Sequence, residues 1–335
     1  MIDGTPRFLI VRLSSLGDVI HTMPAAAALR RRYPEARIDW LVNRGYVGLL
    51  KLMIGLDERI PVDTHGPLGE TFSTIATLRR NRYDAVVDLQ GLLKSAVLAR
   101  SAGARETIGF AGPQLREPLA RPLYSRRVDA SRAGHVIEQH LDVVATLGVT
   151  DRRVMFPIDV PRTPVADQVL EMFGRDDYAL INPGASWPYK RWPPARFGQL
   201  AALLRERRGL RSLIVWGPGE RGMAEIIAAE SRGAAVLAPP TSIPDLFALS
   251  HRARIMVSGD TGPLHIAGAL GTPIVALFGP TLREKNGPWL AVDVSVSRAD
   301  RCSCLYERRC RLGTPCIEDI ALAEVVAAVE RRLDA

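Results

Sequence analysis

Short apolar runs and amphipathic stretches alternate along this chain almost from end to end, the pattern of parallel sheets covered by helices. In the first half, residues 8–13, 37–42, 85–89 and 106–110 read as strands, and 19–32, 71–80, 92–101 and 135–147 as helices. In the second half, strands at 178–181, 212–215, 255–257 and 274–278 are separated by helices at 194–208, 224–231, 244–250 and 263–270. Residues 149–164, rich in Pro, Asp and Arg and without helical periodicity, read as a linker. The expected fold class is therefore α/β: two doubly wound, Rossmann-like domains, 1–160 and 165–318, facing a central cleft. The amphipathic tail 319–335 is expected to pack back on the first domain.

At 335 residues the chain is long enough for two cores. No apolar segment reaches the length of a bilayer span. Near the N-terminus only Phe8-Leu9-Ile10-Val11 lies between Arg7 and Arg12, too short for a signal peptide, so the expected location is cytoplasmic. The net charge of +8 comes mostly from arginine, with clusters at Arg30-Arg31-Arg32, Arg79-Arg80 with Arg82, Arg126-Arg127, and Arg205 with Arg207-Arg208. Most of these fall at helix C-terminal ends, where cations complement the dipole and face solvent. The surplus favours anionic partners, phosphates before nucleic acid, because aromatics are scarce and no nucleic-acid-reading motif is present.

Two turns carry the chemistry. In Val257-Ser258-Gly259-Asp260-Thr261-Gly262-Pro263-Leu264-His265 an apolar strand ends in a glycine-rich turn that opens a helix. First-turn amides without intrahelical acceptors, at the positive end of the dipole, suit a phosphate. Asp260, Thr261 and His265 add a carboxylate, a hydroxyl and an imidazole, a mix fitted to a nucleotide diphosphate on a hydroxyl-rich group. A helix cap by Asp260 or Thr261 explains the same turn more plainly. In the other turn, Arg12 to His21, Ser15 and Gly17 precede Asp18 at a helix start. The GxGxxG fingerprint is missing. Asp18 is either an N-terminal helix carboxylate or, in a cleft, a general base for a hydroxyl.

The runs IVRLSSLGDVIHTMP from Ile10, YDAVVDLQGLLKS from Tyr83, and Arg116-Glu117-Pro118-Leu119-Ala120 resemble the N-terminal domain of ADP-heptose:lipopolysaccharide heptosyltransferases. The last two are most similar to the heptosyltransferase I branch. Asn182-Pro183-Gly184-Ala185-Ser186, Lys190-Arg191-Trp192-Pro193 and SGDTGPLHIAGALGTPIVALFGPT from Ser258 extend the resemblance through the second half. It implies glycosyltransferase family 9 and the GT-B architecture, with the acceptor on the first domain and ADP-heptose on the second.

By position, the resemblance implies Asp18 as catalytic base of an inverting transfer. On the donor side it implies Ser186, Lys190, Glu220, Asp260, Thr261, Gly262 and His265: Lys190 and the turn amides for the diphosphate, Glu220 for ribose hydroxyls, Asp260 for heptose hydroxyls. On the acceptor side it implies Ser15, Lys94 and Arg116. His265 has a structural rival role as a brace of the loop, Lys94 as a helix-surface lysine, and Lys190 as a cation packed on its aromatic neighbours. No metal is required for catalysis. The partners implied are ADP-heptose and an anionic lipid-linked sugar, the Kdo-lipid A inner core, at the cytoplasmic face of the inner membrane, and no nucleic acid.

Two departures stand out. Where the heptosyltransferase I branch has a basic cluster after the strand at 59–62, this chain has Asp63-Thr64-His65-Gly66-Pro67-Leu68-Gly69-Glu70, which supplies no comparable clamp. The acceptor is then less phosphorylated, or held by Arg79, Arg80 and Arg82. Second, Cys302, Cys304, Cys310 and Cys316 lie in one loop as C-x-C-x5-C-x5-C. Clustered thiols in a cytoplasmic protein favour a tetrathiolate zinc or iron site over two disulfides, with free thiols the third outcome. Competing functions are heptosyl transfer to a protein or other glycan, a GT-B-shaped sugar-nucleotide 2-epimerase, and an inactive binding protein. Retention of both Asp18 and Asp260 speaks against the last.

Overall fold

A computed structural model describes residues 5–64, 66–130, 132, 134–174, 176–307, 309–311 and 313–335. His65 of the loop after residue 62 lies outside the described residues. The chain divides into two units, Met1–Asp159 and Val160–Ala335, with the boundary inside the stretch read as a linker.

The first unit has six parallel strands: β1 (Arg7–Val11), β2 (Arg37–Asn43), β3 (Glu58–Val62), β4 (Ala85–Asp88), β5 (Glu106–Phe110) and β6 (Arg126–Val128), in the order β3-β2-β1-β4-β5-β6. The helices are α1 (Leu16–Arg32), α2 (Val47–Lys51), α3 (Leu68–Asn81), α4 (Leu93–Ser101) and α5 (Val136–Ala145). Phe8 to Val11 are wholly buried, as a central strand covered on both faces must be. Strand order reverses between β1 and β4, whose registered pairs run from Phe8–Ala85 to Val11–Asp88. The crevice beyond the carboxyl ends at such a reversal is where doubly wound sheets bind ligands. The turn bearing Asp18 leaves β1 there, and the turn bearing Gln90 and Gly91 leaves β4 there.

The second unit repeats the plan. Helix α6 (Pro164–Met172) precedes β7 (Tyr178–Asn182), α7 (Pro194–Arg208), β8 (Arg211–Ile214), α8 (Arg221–Glu230), β9 (Ala235–Leu237) and α9 (Ile243–Arg252). Then come β10 (Ile255–Gly259), α10 (Gly262–Ala269), β11 (Ile274–Phe278), α11 (Arg283–Asn286), β12 (Val294–Ser297) and α12 (Leu322–Leu333). The order β12-β11-β10-β7-β8-β9 reverses between β7 and β10, beside the Asp260 turn. Among the described residues no helix is long and apolar enough to cross a membrane.

Three expectations need correction. The strands absent from the sequence reading, β6, β9 and β12, are sheet edges, as is β3, which the family resemblance alone places at 59–62. Helix α6 begins at Pro164, directly after the linker, with Thr163 Oγ1 accepting from the Ala166 amide. Helix α12 spends its apolar face inside the second unit: Val325, Val326, Ala328 and Val329 join a core with Leu200, Leu204, Val275 and Leu277. Arg207–Glu330 at 2.9 Å and Arg332–Asp293 at 2.8 Å add ties within that unit. The arginine clusters are largely consumed locally, Arg30 on Asp57 and Arg31 on Asp151.

Candidate active site

The head of α1 is a capping box, in which Asp18 Oδ2 accepts from the backbone amide and the hydroxyl of Ser15, both at 3.0 Å. The capping role of Asp18 is therefore real, and it leaves Oδ1 for other work. Arg12, buried at the end of β1, ion-pairs with Oδ1 and donates through Nη1 to the Leu89 carbonyl. Arg116 Nη2 stands 3.5 Å from the same oxygen. Burial pushes the Asp18 carboxyl up, but the charges of Arg12 and Arg116 and the Ser15 hydrogen bonds outweigh it. The carboxyl ends well below the usual carboxylate range. Tyr46, following β2, is close enough for Asp18's charge to add to the upward push of burial on its phenol.

Arg116 is brought there by Asp88. This buried carboxylate accepts from Tyr124 Oη at 2.7 Å, Ser95 Oγ at 2.8 Å and the Gln90 amide at 2.9 Å. Burial still holds its carboxyl above the ordinary value. The network folds the Gln90–Gly91 turn, where Gly91 has φ of +72° and a Cβ would meet the Gln114 carbonyl at 3.3 Å and the Arg116 amide at 3.4 Å. Glu117 closes the junction: its amide donates to the Gly91 carbonyl at 3.1 Å, and its carboxylate accepts from the Leu93 amide at 2.6 Å. Lys94 stands exposed on the first turn of α4, next to the buried Ser95.

The alternative acceptor arginines do not reach this crevice. Arg79 and Arg80 end α3 and Arg82 caps it, just before β4 begins, which is the amino edge of the sheet opposite Asp18. Arg79 donates there to the Ser101 carbonyl at 3.0 Å. At the carboxyl edge stands Arg44, after β2, paired with Glu70 at 2.7 Å.

In the second unit the residues gather around Asp260, which is buried at the head of α10. Its Oδ2 accepts from Lys190 Nζ at 2.5 Å and from Thr281 Oγ1 at 2.9 Å, and His265 Nε2 lies 3.4 Å from Oδ1. Burial pushes this carboxyl up, but the hydrogen bond from His265 and the charge of Lys190 hold it well below the usual range. Lys190 is mostly buried rather than exposed, and its ammonium also sits 5.2 Å from the centre of the Trp187 ring. Asn182 at the end of β7 steadies the turn, donating to Ser258 Oγ at 2.9 Å and Thr261 Oγ1 at 3.0 Å.

Glu220 accepts from the Gly217 amide at 2.9 Å and stands 3.8 Å from Arg191, which itself donates to the Ala185 carbonyl at 2.7 Å. A Cβ at Gly184 would lie 2.1 Å from Glu220 Oε2, so the carboxylate holds this position only while residue 184 has no side chain. Ser186 is exposed beside it in sequence. Ser186, Lys190, Glu220, Asp260, Thr261, Gly262 and His265 thus all lie in the second unit, around the carboxyl ends of β7, β8 and β10. Sequence reasoning missed Arg12, Tyr46, Asp88, Asn182, Arg191 and Thr281.

Comparison with known proteins gives the family of the chain. The family model described as glycosyltransferase family 9 (heptosyltransferase) matches residues 71–314. Lipopolysaccharide heptosyltransferase 1 of Pseudomonas aeruginosa is 32% identical over 323 residues, covering 91% of this chain and 87% of the relative. Among solved structures, E. coli heptosyltransferase WaaC with ADP-2-deoxy-2-fluoro heptose is 27% identical, with TM-score 0.74 and coverage of 97% of this chain and 99% of the other. The glycosyl transferase family 9 protein of Veillonella parvula shares the fold at TM-score 0.81, 24% identity and coverage of 98% and 97%. The two six-stranded parallel sheets are those of a GT-B glycosyltransferase, and the chain belongs to glycosyltransferase family 9, the heptosyltransferases.

Proposed function

We propose that this enzyme transfers L-glycero-D-manno-heptose from ADP-heptose to the Kdo-lipid A inner core of lipopolysaccharide, with inversion at the anomeric carbon. The observation that carries the reading is the Asp260 node: a buried carboxylate holding Lys190, Thr281 and His265 at the N-terminus of α10. The relatives' names and the ADP-heptose analogue bound to WaaC support it.

In this reading the diphosphate meets the Thr261 and Gly262 amides and the Lys190 ammonium, with the Ser186 hydroxyl alongside. Glu220 takes ribose hydroxyls. Asp260 faces heptose hydroxyls, and His265 braces it. As the anomeric carbon–phosphate oxygen bond breaks, charge grows on ADP, and these positive groups oppose it without a metal. On the first unit, Asp18 takes the acceptor proton as the new oxygen–carbon bond forms. A carboxylate held below its usual range is a weak base, so proton transfer follows most of the bond making, when the hydroxyl has become strongly acidic. Its fixed negative charge opposes the oxocarbenium character of the sugar.

Arg116 and Ser15 orient the anionic acceptor, with Lys94 further out. The loop 63–70 offers Asp63 and Glu70 in place of a basic clamp, and Glu70 occupies Arg44. The acceptor is accordingly one with fewer phosphates, reached at the cytoplasmic face of the inner membrane by peripheral attachment. Titration with ADP-heptose, ADP and AMP tests the donor assignment, with affinity expected to fall in that order. AMP binding as tight as ADP would deny Lys190 and α10 a diphosphate.

A further inference from the structure

The four cysteines are separated from the Asp260 turn in sequence, and the fold brings them back to it. Cys302, Cys304, Cys310 and Cys316 line one pocket together with Tyr189, Pro280, Glu307 and Pro315. Tyr189 precedes Lys190, and Pro280 precedes Thr281, so both neighbours of the pocket carry a partner of Asp260. The thiol segment is bonded into these strands of chain. The Tyr306 amide donates to the Pro280 carbonyl at 2.8 Å, and Tyr306 Oη accepts from the Leu282 amide at 3.3 Å. A Cβ at Gly279 would lie 2.8 Å from Ile317, so the Cys316–Asp319 turn rests directly on the backbone before Pro280. On the other side Trp192 Nε1 donates to the Ile320 carbonyl at 2.9 Å.

Cys302 and Cys304 sulfurs are 3.8 Å apart, and Cys304 and Cys310 sulfurs 3.9 Å. Disulfides need about 2.05 Å. Metal–thiolate bonds of about 2.3 Å at tetrahedral angles put neighbouring sulfurs about 3.8 Å apart. Among the described residues no three ligating side chains yet surround one ion position, so the remaining thiol rotamers have to turn onto the ion. We infer that the four cysteines bind one thiophilic transition-metal ion, zinc or iron, as a tetrathiolate clip that fixes the Tyr189–Lys190 and Pro280–Thr281 segments around Asp260. The thiols lose their protons on binding, and the ion is a positioning element that touches no substrate. The positioning half of this inference rests on the donor reading above.

The test uses the whole chain, reduced, stripped with a chelator and titrated anaerobically with Zn²⁺ and, separately, Fe²⁺, with Co²⁺ as a spectroscopic probe of thiolate ligation. One equivalent bound, four thiols protected from a thiol reagent, a raised Tm and a several-fold tighter ADP Kd on loading are expected. The zinc and iron arms identify the ion by which survives competition. Cys302→Ser and Cys310→Ser, both at partly exposed positions, should each lower metal affinity by about tenfold or more. Four thiols still reactive under saturating metal would overturn the site. Protected thiols with an unchanged ADP Kd would overturn the positioning role. The thiol count needs no nucleotide, so a loaded protein that ignores ADP counts against the donor reading while its protected thiols still support the site.

Discussion

Arg12 and Asp18 form a buried-to-surface ion pair in which the arginine, itself 1% exposed, is anchored through its other nitrogen to the Leu89 carbonyl. The anchored cation fixes both the place and the proton affinity of the one carboxylate at the crevice end of β1. Asp18→Asn should lower kcat by about 10²–10⁴ while ADP Kd stays within a few-fold. Asp18→Ala is a poorer probe: both variants remove the counter-ion of the buried Arg12, but only Asn keeps an oxygen to accept from Ser15 or Arg12. Parallel losses of ADP affinity and rate in Asp18→Asn would contradict the assignment.

The same pair predicts a pH dependence. Asp18's carboxyl is held low, so its basic form persists as pH falls, and kcat/KM should show no acid limb from it in the ordinary carboxylate range. Arg12→Gln removes the largest downward charge and should move an acid limb up in pH, while Arg12→Lys should largely restore the wild-type profile. A profile indifferent to Arg12→Gln would place the essential base elsewhere.

Lys190→Ala should weaken ADP and ADP-heptose more than AMP. It should also lower stability, by up to about 3–5 kcal/mol, because Asp260 is left buried without its cation. Asp260→Asn should instead raise the ADP-heptose Kd more than the ADP Kd. If calorimetry shows AMP, ADP and ADP-heptose losing affinity alike in both variants, the node is structural only.

Gly184→Ala places a methyl group against Glu220, so the carboxylate has to swing away. Its effect on AMP and ADP binding should match that of Glu220→Gln, and the double variant should be no worse than either single one. Additive losses would separate Gly184 from Glu220.

His140 supplies a stability prediction. Burial first, then the charge of Arg12, pulls its pKa down to about 3, and Nδ1 is engaged with the His21 carbonyl at 3.1 Å. The unfolded chain takes up this proton below about pH 6.5 and the folded one does not, so stability falls as pH drops, by about 1.4 kcal/mol per unit. Asp18 and Asp260, with depressed values, lose their contributions only as pH falls below the unfolded carboxylate value, so they are silent between pH 6.5 and 5. His140→Asn should flatten that segment of the Tm–pH curve. An unchanged slope would mean His140 is not the group responsible.

The parts of the fold legible in the sequence are those where burial leaves a mark. Phe8 to Val11 and Ile274 to Phe278 are uninterrupted apolar runs because both faces are covered. The edges carry no such mark: β6 shows Arg126 and Arg127 to solvent, and β12 alternates Val with Ser, half-buried throughout. Asp18 and Asp260 stand out in the sequence because each lies between an apolar strand and a helix, although the roles given to them come from the family resemblance. Arg12 does not, since an arginine after Val11 reads as the end of a strand rather than as a buried cation. Thr281 lies 21 residues beyond Asp260, and only the pairing of β10 with β11 brings it near. The cysteine loop is likewise distant from Asp260 in sequence, and only the fold sets it beside Tyr189 and Pro280.

The most direct test of the central claim is a transfer assay with the purified chain, ADP-heptose and either Kdo-lipid A or Kdo2-lipid A, followed by mass measurement of the lipid and NMR of the new linkage. One added heptose in α linkage and stoichiometric release of ADP are expected, and neither in Asp18→Asn. An unaltered lipid with ADP-heptose consumed, or a nucleotide sugar inverted at C2, would contradict the claim.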